Sequence, residues 1–216
     1  YFLSSSGAAN TAAGDGVLST ETPTGTEFDL AVSDPRRPVP SRGGADSGSP
    51  MLGEVGPTDQ REVEARDDVL CYTTPPLAEP VEVTGPVELV VYLSSSAVDT
   101  DVMGKLVDVY PDGRWIQLTE GMLRARYRCS RAHPEALVPG EVVELRLSLR
   151  ATSNVFLPGH RIRLEVAGSN YPRYARNPNT GGDVASVGRS DVVAAVNRVH
   201  HGPGWPSRLI LPVVRR

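Results

Sequence analysis

Lysine is almost missing from this chain: Lys105 stands alone beside 21 arginines. Cysteine is scarce too. Cys71 and Cys129 are too few for a disulfide framework, and no CxxC spacing offers zinc a site. Both thiols are therefore expected to pack as small apolar groups in a reducing, cytoplasmic setting. Aromatic residues make up only 6%. No apolar run approaches the roughly 18 residues of a membrane helix, and no charged start followed by an apolar stretch reads as a signal peptide. Charge of one sign is lacking as well: 22 basic against 26 acidic residues leave a net charge of −4, which excludes a protein built to hold a phosphate backbone. What the chain has instead is glycine (21) and proline (19), about a fifth of its 216 positions, and many valines. That composition disfavours a helical bundle and favours strands joined by turns.

The length suits one β domain, residues 1–216, with an extended lead-in and loop over 1–58 and the main sandwich over 59–216. From Ser4 to Gly56 the residues are mostly Ser, Gly, Thr, Asp and Pro, with short extended fragments such as Glu27 to Leu30. Pro35, Pro38 and Pro40 keep the stretch from becoming helix. Two readings stand: a meandering lead-in lying on something else, or a disordered linker. The chain opens on Tyr1-Phe2-Leu3, which reads as the middle of a strand and so as a piece of a longer protein. Beyond Arg61, period-two alternation takes over. In Val87 to Leu93 every odd position is aliphatic. Val102 to Tyr110, the turn Pro111-Asp112-Gly113-Arg114 and Trp115 to Leu118 form a hairpin. Met122 to Arg128 alternates with Arg124, Arg126 and Arg128 on one face, and its expected partner is Val142 to Arg150, where Val143, Leu145, Leu147 and Leu149 share a face. Arg161 to Val166 and Leu209 to Val214 complete eight or more strands. Ser190 to Val196 reads as a short helix or a strand. The fold predicted is all-β, an antiparallel jelly-roll sandwich with an irregular N-terminal lead-in.

Chemistry is harder to find. No G-x-S-x-G elbow occurs, and Ser47 in Gly44-Ala45-Asp46-Ser47-Gly48 fails its spacing. His200 and His201 could face Asp183 or Asp191, but neighbours on a strand point to opposite sides and no activated nucleophile stands by. No catalytic residue is therefore assigned in this chain. His160 reads as a loop cap and His133 as an exposed loop residue. Asp99 and Asp101 share a face of an extended chain, which suits either calcium or the commoner bonding of Asp to its own turn. The arginine stripe suits an anion, solvent or a sister domain. Trp115, Trp205, Tyr171 and Tyr174 are candidate sugar platforms or packing residues. No metal or other cofactor is assigned.

Longer blocks say more. "SSSAVDTDVMGKLVDVYPDGRWIQLTEGMLRARYR" (Ser94 to Arg128), "ATSNVFLPGHRIRLEVAGSNYPRYARNPNTGG" (Ala151 to Gly182) and "DQREVEARDDVLCYTTPPLAEPVEVTGP" (Asp59 to Pro86) strongly resemble the C-terminal domain of the X-prolyl dipeptidyl-peptidase and cocaine esterase family of serine hydrolases. So do "GAANTAAGDGVLST" (Gly7 to Thr20) and "AVNRVHHGPGWPSRLILPVV" (Ala195 to Val214), and the bacterial cocaine esterase type is the nearest in look. The resemblance implies a galactose-binding-like jelly roll that docks on an α/β-hydrolase domain and a helical cap. The Ser, His and Asp triad would then lie upstream, and this non-catalytic third domain would help to wall a cleft for a small ester or amide. The stretch "ADSGSPMLGEVGPT" between Gly44 and Asp59 departs from the cocaine esterase type. Met51 and Leu52, large apolar residues in a Gly, Ser and Pro setting, are expected to face the acyl part of the substrate, or else to pin the loop to the core. The competing readings are an autonomous carbohydrate-binding module and an independent hydrolase.

Overall fold

The computed structural model describes residues 1–25, 27–44, 54–186, 188 and 191–215. Among these residues are eleven strands: β1 (Phe2–Ser4), β2 (Val17–Ser19), β3 (Phe28–Ser33), β4 (Val69–Thr73), β5 (Val81–Ser95), β6 (Asp101–Val109), β7 (Trp115–Arg124), β8 (Val143–Phe156), β9 (Arg161–Ala167), β10 (Ala195–His200) and β11 (Arg208–Ile210). A single helical turn, α1 (Arg61–Glu64), precedes β4. No described helix is long and apolar enough to cross a membrane. The strands hydrogen-bond in the order β3-β10-β5-β11-β1-β2-β4-β9-β6-β7, with β8 on the other side of β5. All ladders are antiparallel except β2 with β4.

This continuous sheet folds over on itself into a sandwich. Leu89 and Val91 of β5 and Leu145 and Leu147 of β8 share one core with Leu70 of β4, Leu106 of β6, and Ile162 and Leu164 of β9. Each such side chain contributes about 1.5–3 kcal/mol by leaving water. The alternation expected in β8 is present, with Leu145, Leu147 and Leu149 buried and Glu144, Arg146 and Ser148 exposed. Its expected pairing is not: β8 runs beside β5 over Val81 to Leu93, not beside β7. Strand β7 comes close to β8 without a ladder. A Cβ on Gly121 would sit 1.9 Å from the Ser148 carbonyl oxygen, so only glycine permits the approach.

The hairpin β6–β7 is as the sequence predicts. Tyr110 N–H donates to the Arg114 carbonyl at 2.8 Å, and Gly113 takes φ +91° in the turn. The arginine stripe is not. Strand β7 ends at Arg124 and the chain turns through a 3-10 segment, Ala125–Tyr127, which destroys the alternation. The lead-in supplies β1, β2 and β3 to the sheet, and Ser190 to Val196 gives no described helix; its end enters β10. Cys71 is buried, but Cys129 is exposed, which corrects the expectation that both thiols pack inside.

Candidate loop root and docking face

Strand β6 is buried along all nine residues, including Lys105. Both of its faces are covered, and the second cover is made by the lead-in, α1 and the loop after β9, which enclose Val39, Val63, Val69, Cys71, Met103 and Ala167. In the middle of this outer layer lies a row of charge. Cys71 pairs across to Glu165, Glu165 to Lys105 and Lys105 to Glu120, one residue from each of four adjacent strands. Lys105 Nζ stands 3.3 Å from Glu165 Oε2 and donates to Gln60 Oε1 at 2.9 Å. Glu120 pairs with Arg173 at 2.5 Å and accepts from Asn170 Nδ2 at 2.8 Å. Arg163 pairs with Glu64, and its guanidinium lies 4.6 Å from the centre of the Trp115 ring. Burial, then the charge of Glu165, pushes the Glu64 carboxyl up to about 9. Burial likewise pushes the Cys71 thiol up, leaving it an inert packing group.

Above this row the chain leaves for residues 45–53 and returns. Gly44 and Gly56 exchange backbone hydrogen bonds at 2.9 and 2.8 Å. Gly44 has φ +97°, and a Cβ there would stand 2.4 Å from Glu120 Oε1, so the backbone rests directly on the carboxylate. Arg42 pairs with Glu54 at 3.6 Å and with Glu62. Met51 and Leu52 lie outside the described residues.

The opposite layer ends on an unusual strand. In β3 the large side chains Phe28, Leu30 and Val32 point outward, 38%, 45% and 46% exposed, while Asp29, Ala31 and Ser33 point inward. The alternation is inverted relative to a sheet face that meets water. Val196, 41% exposed, pairs with Val32, and His200 stands between Phe28 and Tyr92 in one cross-strand row. Ring centroids are 5.6 Å apart for Phe28 and His200, and 5.6 Å apart for Tyr92 and Trp205. Burial, with Arg198 and His201 after it, lowers the His200 imidazole, so at neutral pH it behaves as another uncharged ring.

The remaining candidates resolve into structural roles. His201 does not approach Asp183 or Asp191; its Nε2 lies 3.2 Å from Asp29 Oδ2 and 3.0 Å from Ser5 Oγ. Burial alone would raise the Asp29 carboxyl, but hydrogen bonds from His201, Ala9, Tyr72 and Ser5 overcome it and hold the group below its usual range. His160 caps its loop as expected, with Nδ1 at 2.8 Å from Asp108 Oδ1, and His133 is exposed. The carboxylates of Asp99 and Asp101 are engaged by other segments rather than by their own turn. Arg124 takes Asp101 at 2.8 and 3.0 Å, the Arg126 backbone N–H donates to Asp99, and Asn177 bridges both carboxylates. These donors occupy the oxygens a cation would need. The four aromatics do not converge on one platform. Trp115 lies under Arg163, and Tyr171 lines a separate cleft of about 520 Å³ with Arg176 5.0 Å from its ring centre.

Reading the sequence missed Gln60, Lys105 and Glu165. A signal was there: a single lysine inside the otherwise apolar run Val102 to Val107 can be buried only against carboxylates, and Glu165 and Glu120 alternate correctly to meet it.

Comparison with known proteins gives this arrangement its setting. The chain is 50% identical over 220 residues to the cocaine esterase of Rhodococcus sp. (strain MB1 Bresler), an alignment spanning all of this chain and 37% of that protein. The aminopeptidase from a marine sediment archaeon (Thaumarchaeota archaeon) superposes with a TM-score of 0.85 at 33% identity, over 96% of this chain and 36% of that one. An alpha-amino acid ester hydrolase superposes with a TM-score of 0.85 at 32% identity, over 97% and 36%. The chain thus spans little more than a third of the length of the proteins it matches. A family model for the X-Pro dipeptidyl-peptidase C-terminal non-catalytic domain matches residues 1–210, and this chain belongs to that family.

Proposed function

We propose that this domain docks through β3 and β10 on the catalytic α/β-hydrolase and cap domains of a cytoplasmic serine hydrolase that cleaves small esters or amides by acyl transfer. The Gly44 to Thr58 loop then walls the cleft, with Met51 and Leu52 toward the acyl group. The observation that carries the docking is the inverted strand: Phe28, Leu30 and Val32 present a row of large apolar side chains beside Val196, broken only by Arg198, which lies opposite Leu30 with its guanidinium 5.2 Å from the Phe28 ring centre. The chemistry is supported by the relatives, whose names give an esterase, an ester hydrolase and an aminopeptidase. No nucleic acid or membrane partner enters this reading.

The test is a comparison of contexts. In the full-length hydrolase, Phe28→Asp with Leu30→Asp lowers stability by several kcal/mol, as expected for charge forced into an apolar interface. In the isolated domain the same pair costs clearly less, because Phe28 and Leu30 are already 38% and 45% exposed there. Equal effects in both contexts remove the docking face. For the loop, Met51→Ala and Leu52→Ala shift selectivity between acyl groups by about 1–3 kcal/mol, the worth of a few methylenes in an apolar pocket. Unchanged relative kcat/KM across acyl sizes removes the cleft role. The aromatic row Phe28, His200, Tyr92 and Trp205 favours a second reading, a sugar platform. Its rings are tilted by 52–56° rather than coplanar, and a sugar titration followed by tryptophan fluorescence decides it.

A further inference from the structure

The arginines at the end of β7 and in the segment after it are not equal in charge. Arg124 is paired with Asp101 at 2.8 Å, Arg126 with Asp99 at 3.5 Å and Arg128 with Glu135 at 3.5 Å. Arg131, exposed just beyond them, makes no ion pair or hydrogen bond among the described residues. It lines a pocket of about 370 Å³ whose apolar surface comes from Met122 and Leu123 at the end of β7. Tyr127 and Tyr174, both half-buried, line it as well, and neither hydroxyl has a hydrogen-bond partner among the described residues. Arg124 completes the set. Its Nε and Nη2 face Asp101 at 2.8 and 3.0 Å, Nη2 also reaches the Ala175 carbonyl at 3.3 Å, and Nη1 keeps both of its donors unspent among the described residues. No acidic side chain is among the described residues that line this pocket.

We propose that this pocket binds an organic monocarboxylate with an aromatic body, its carboxylate taken by Arg131, the unspent end of Arg124 and the two phenols. The charge balance selects a monoanion: each of the other three arginines is offset by its own carboxylate, so a single positive charge is left uncompensated at the pocket. A planar carboxylate takes two parallel N–H donors from a guanidinium, and phenol hydroxyls can donate to the same oxygens. Phosphate fits the surroundings poorly. Met122, Leu123 and the rings of Tyr127 and Tyr174 would strip its water without returning enough donors, whereas they reward the burial of an aromatic ring. The cavity is of the size that holds a small molecule. Binding needs no reaction, so the hydrolase reading can hold or fail without it.

The experiment dialyses the full-length protein to equilibrium against radiolabelled 4-phenylbutanoate and compares the bound amount with that of Arg131→Gln and Ala175→Glu. Both positions are exposed, so both variants keep the Tm of the unmodified protein, and Ala175→Glu sets a rival carboxylate in the pocket. The expected result is an equivalent of bound ligand whose Kd rises about tenfold in Arg131→Gln, through the loss of charge-assisted hydrogen bonds, and which is absent in Ala175→Glu. Neither the neutral 4-phenylbutanamide nor inorganic phosphate displaces it. If both variants bind as the unmodified protein does, the ligand sits elsewhere or a neighbouring domain closes the pocket, and the proposal fails. Competition by the amide as strong as by the unlabelled acid makes the pocket merely apolar. Competition of that strength by phosphate makes it a bare cation site, and either outcome overturns the carboxylate assignment.

Discussion

At the scale of single residues the most informative group is Glu64. It is fully buried, it faces both Arg163 and Glu165, and its carboxyl is pushed up to about 9 from an ordinary value of 4.5. The folded state therefore holds this proton more tightly than the unfolded chain does. Below pH 4.5 both states are protonated and the group is neutral toward folding. Between 4.5 and 9 unfolding releases the proton, so stability falls as pH rises, by about 1.4 kcal/mol per pH unit from this group alone. Asp101 and Asp108, also raised by burial, act in the same direction, whereas Asp29, held low by its hydrogen bonds, acts in the opposite one. Glu64→Gln keeps the shape and removes the titration. The isolated domain carrying it is expected to match the unmodified domain near pH 5 and to exceed it progressively in Tm toward pH 8. Parallel Tm curves for the two proteins across that range would show that Glu64 is ionised in the folded state.

At the scale of elements, legibility followed the number of neighbours that agree. The long strands β5 and β8 and the β6–β7 hairpin alternate against a core supplied by this same chain, so residues such as Leu89, Leu145 and Leu147 declare their inward face in sequence. The three-residue strands β1 and β2 are too short for any period to show, and exist because the ladders with β11 and β4 hold them. Strand β3 shows the other limit. Phe28-Asp29-Leu30-Ala31-Val32-Ser33 alternates cleanly, and a reader of the pattern alone would bury Phe28, Leu30 and Val32. The structure buries Asp29, Ala31 and Ser33, because Asp29 gathers Tyr72, His201, Ala9 and Ser5 around its carboxylate. Alternation specifies two faces but not which one this chain covers. The end of β7 failed for a related reason: Arg124 and Arg126 are drawn to the paired Asp101 and Asp99 and to the carbonyls of Gly181 and Gly182, contacts between segments far apart in sequence. The buried charge row is equally invisible to periodicity, since its four members become neighbours only through strand order.

At the scale of the whole molecule the question is whether this domain can do chemistry alone. Ser, His and Asp meet at Ser5, His201 and Asp29, between the start of the chain, β3 and the end of β10, and the residue types invite comparison with a hydrolytic triad. The geometry argues against it. In a working triad the carboxylate holds one imidazole nitrogen and the other faces the serine, so that the ring can take the hydroxyl proton. Here the same nitrogen, Nε2, faces both Asp29 and Ser5, and the Ser5 hydroxyl already donates to the Asp29 carboxylate at 2.8 Å. The Asp29 oxygens are further engaged by Tyr72 O–H at 2.7 Å and Ala9 N–H at 2.9 Å, which makes the carboxylate the hub of a clasp joining the lead-in to the sheet. Such a clasp stabilises the start of the chain and activates nothing. The isolated domain incubated with p-nitrophenyl acetate is accordingly expected to release nitrophenol at the buffer rate. Ser5→Ala should leave that rate unchanged while lowering Tm through the lost hydrogen bonds, by about 1 kcal/mol each in stability. Turnover above the buffer rate that disappears in Ser5→Ala would make the clasp a catalytic site and this domain an enzyme in its own right.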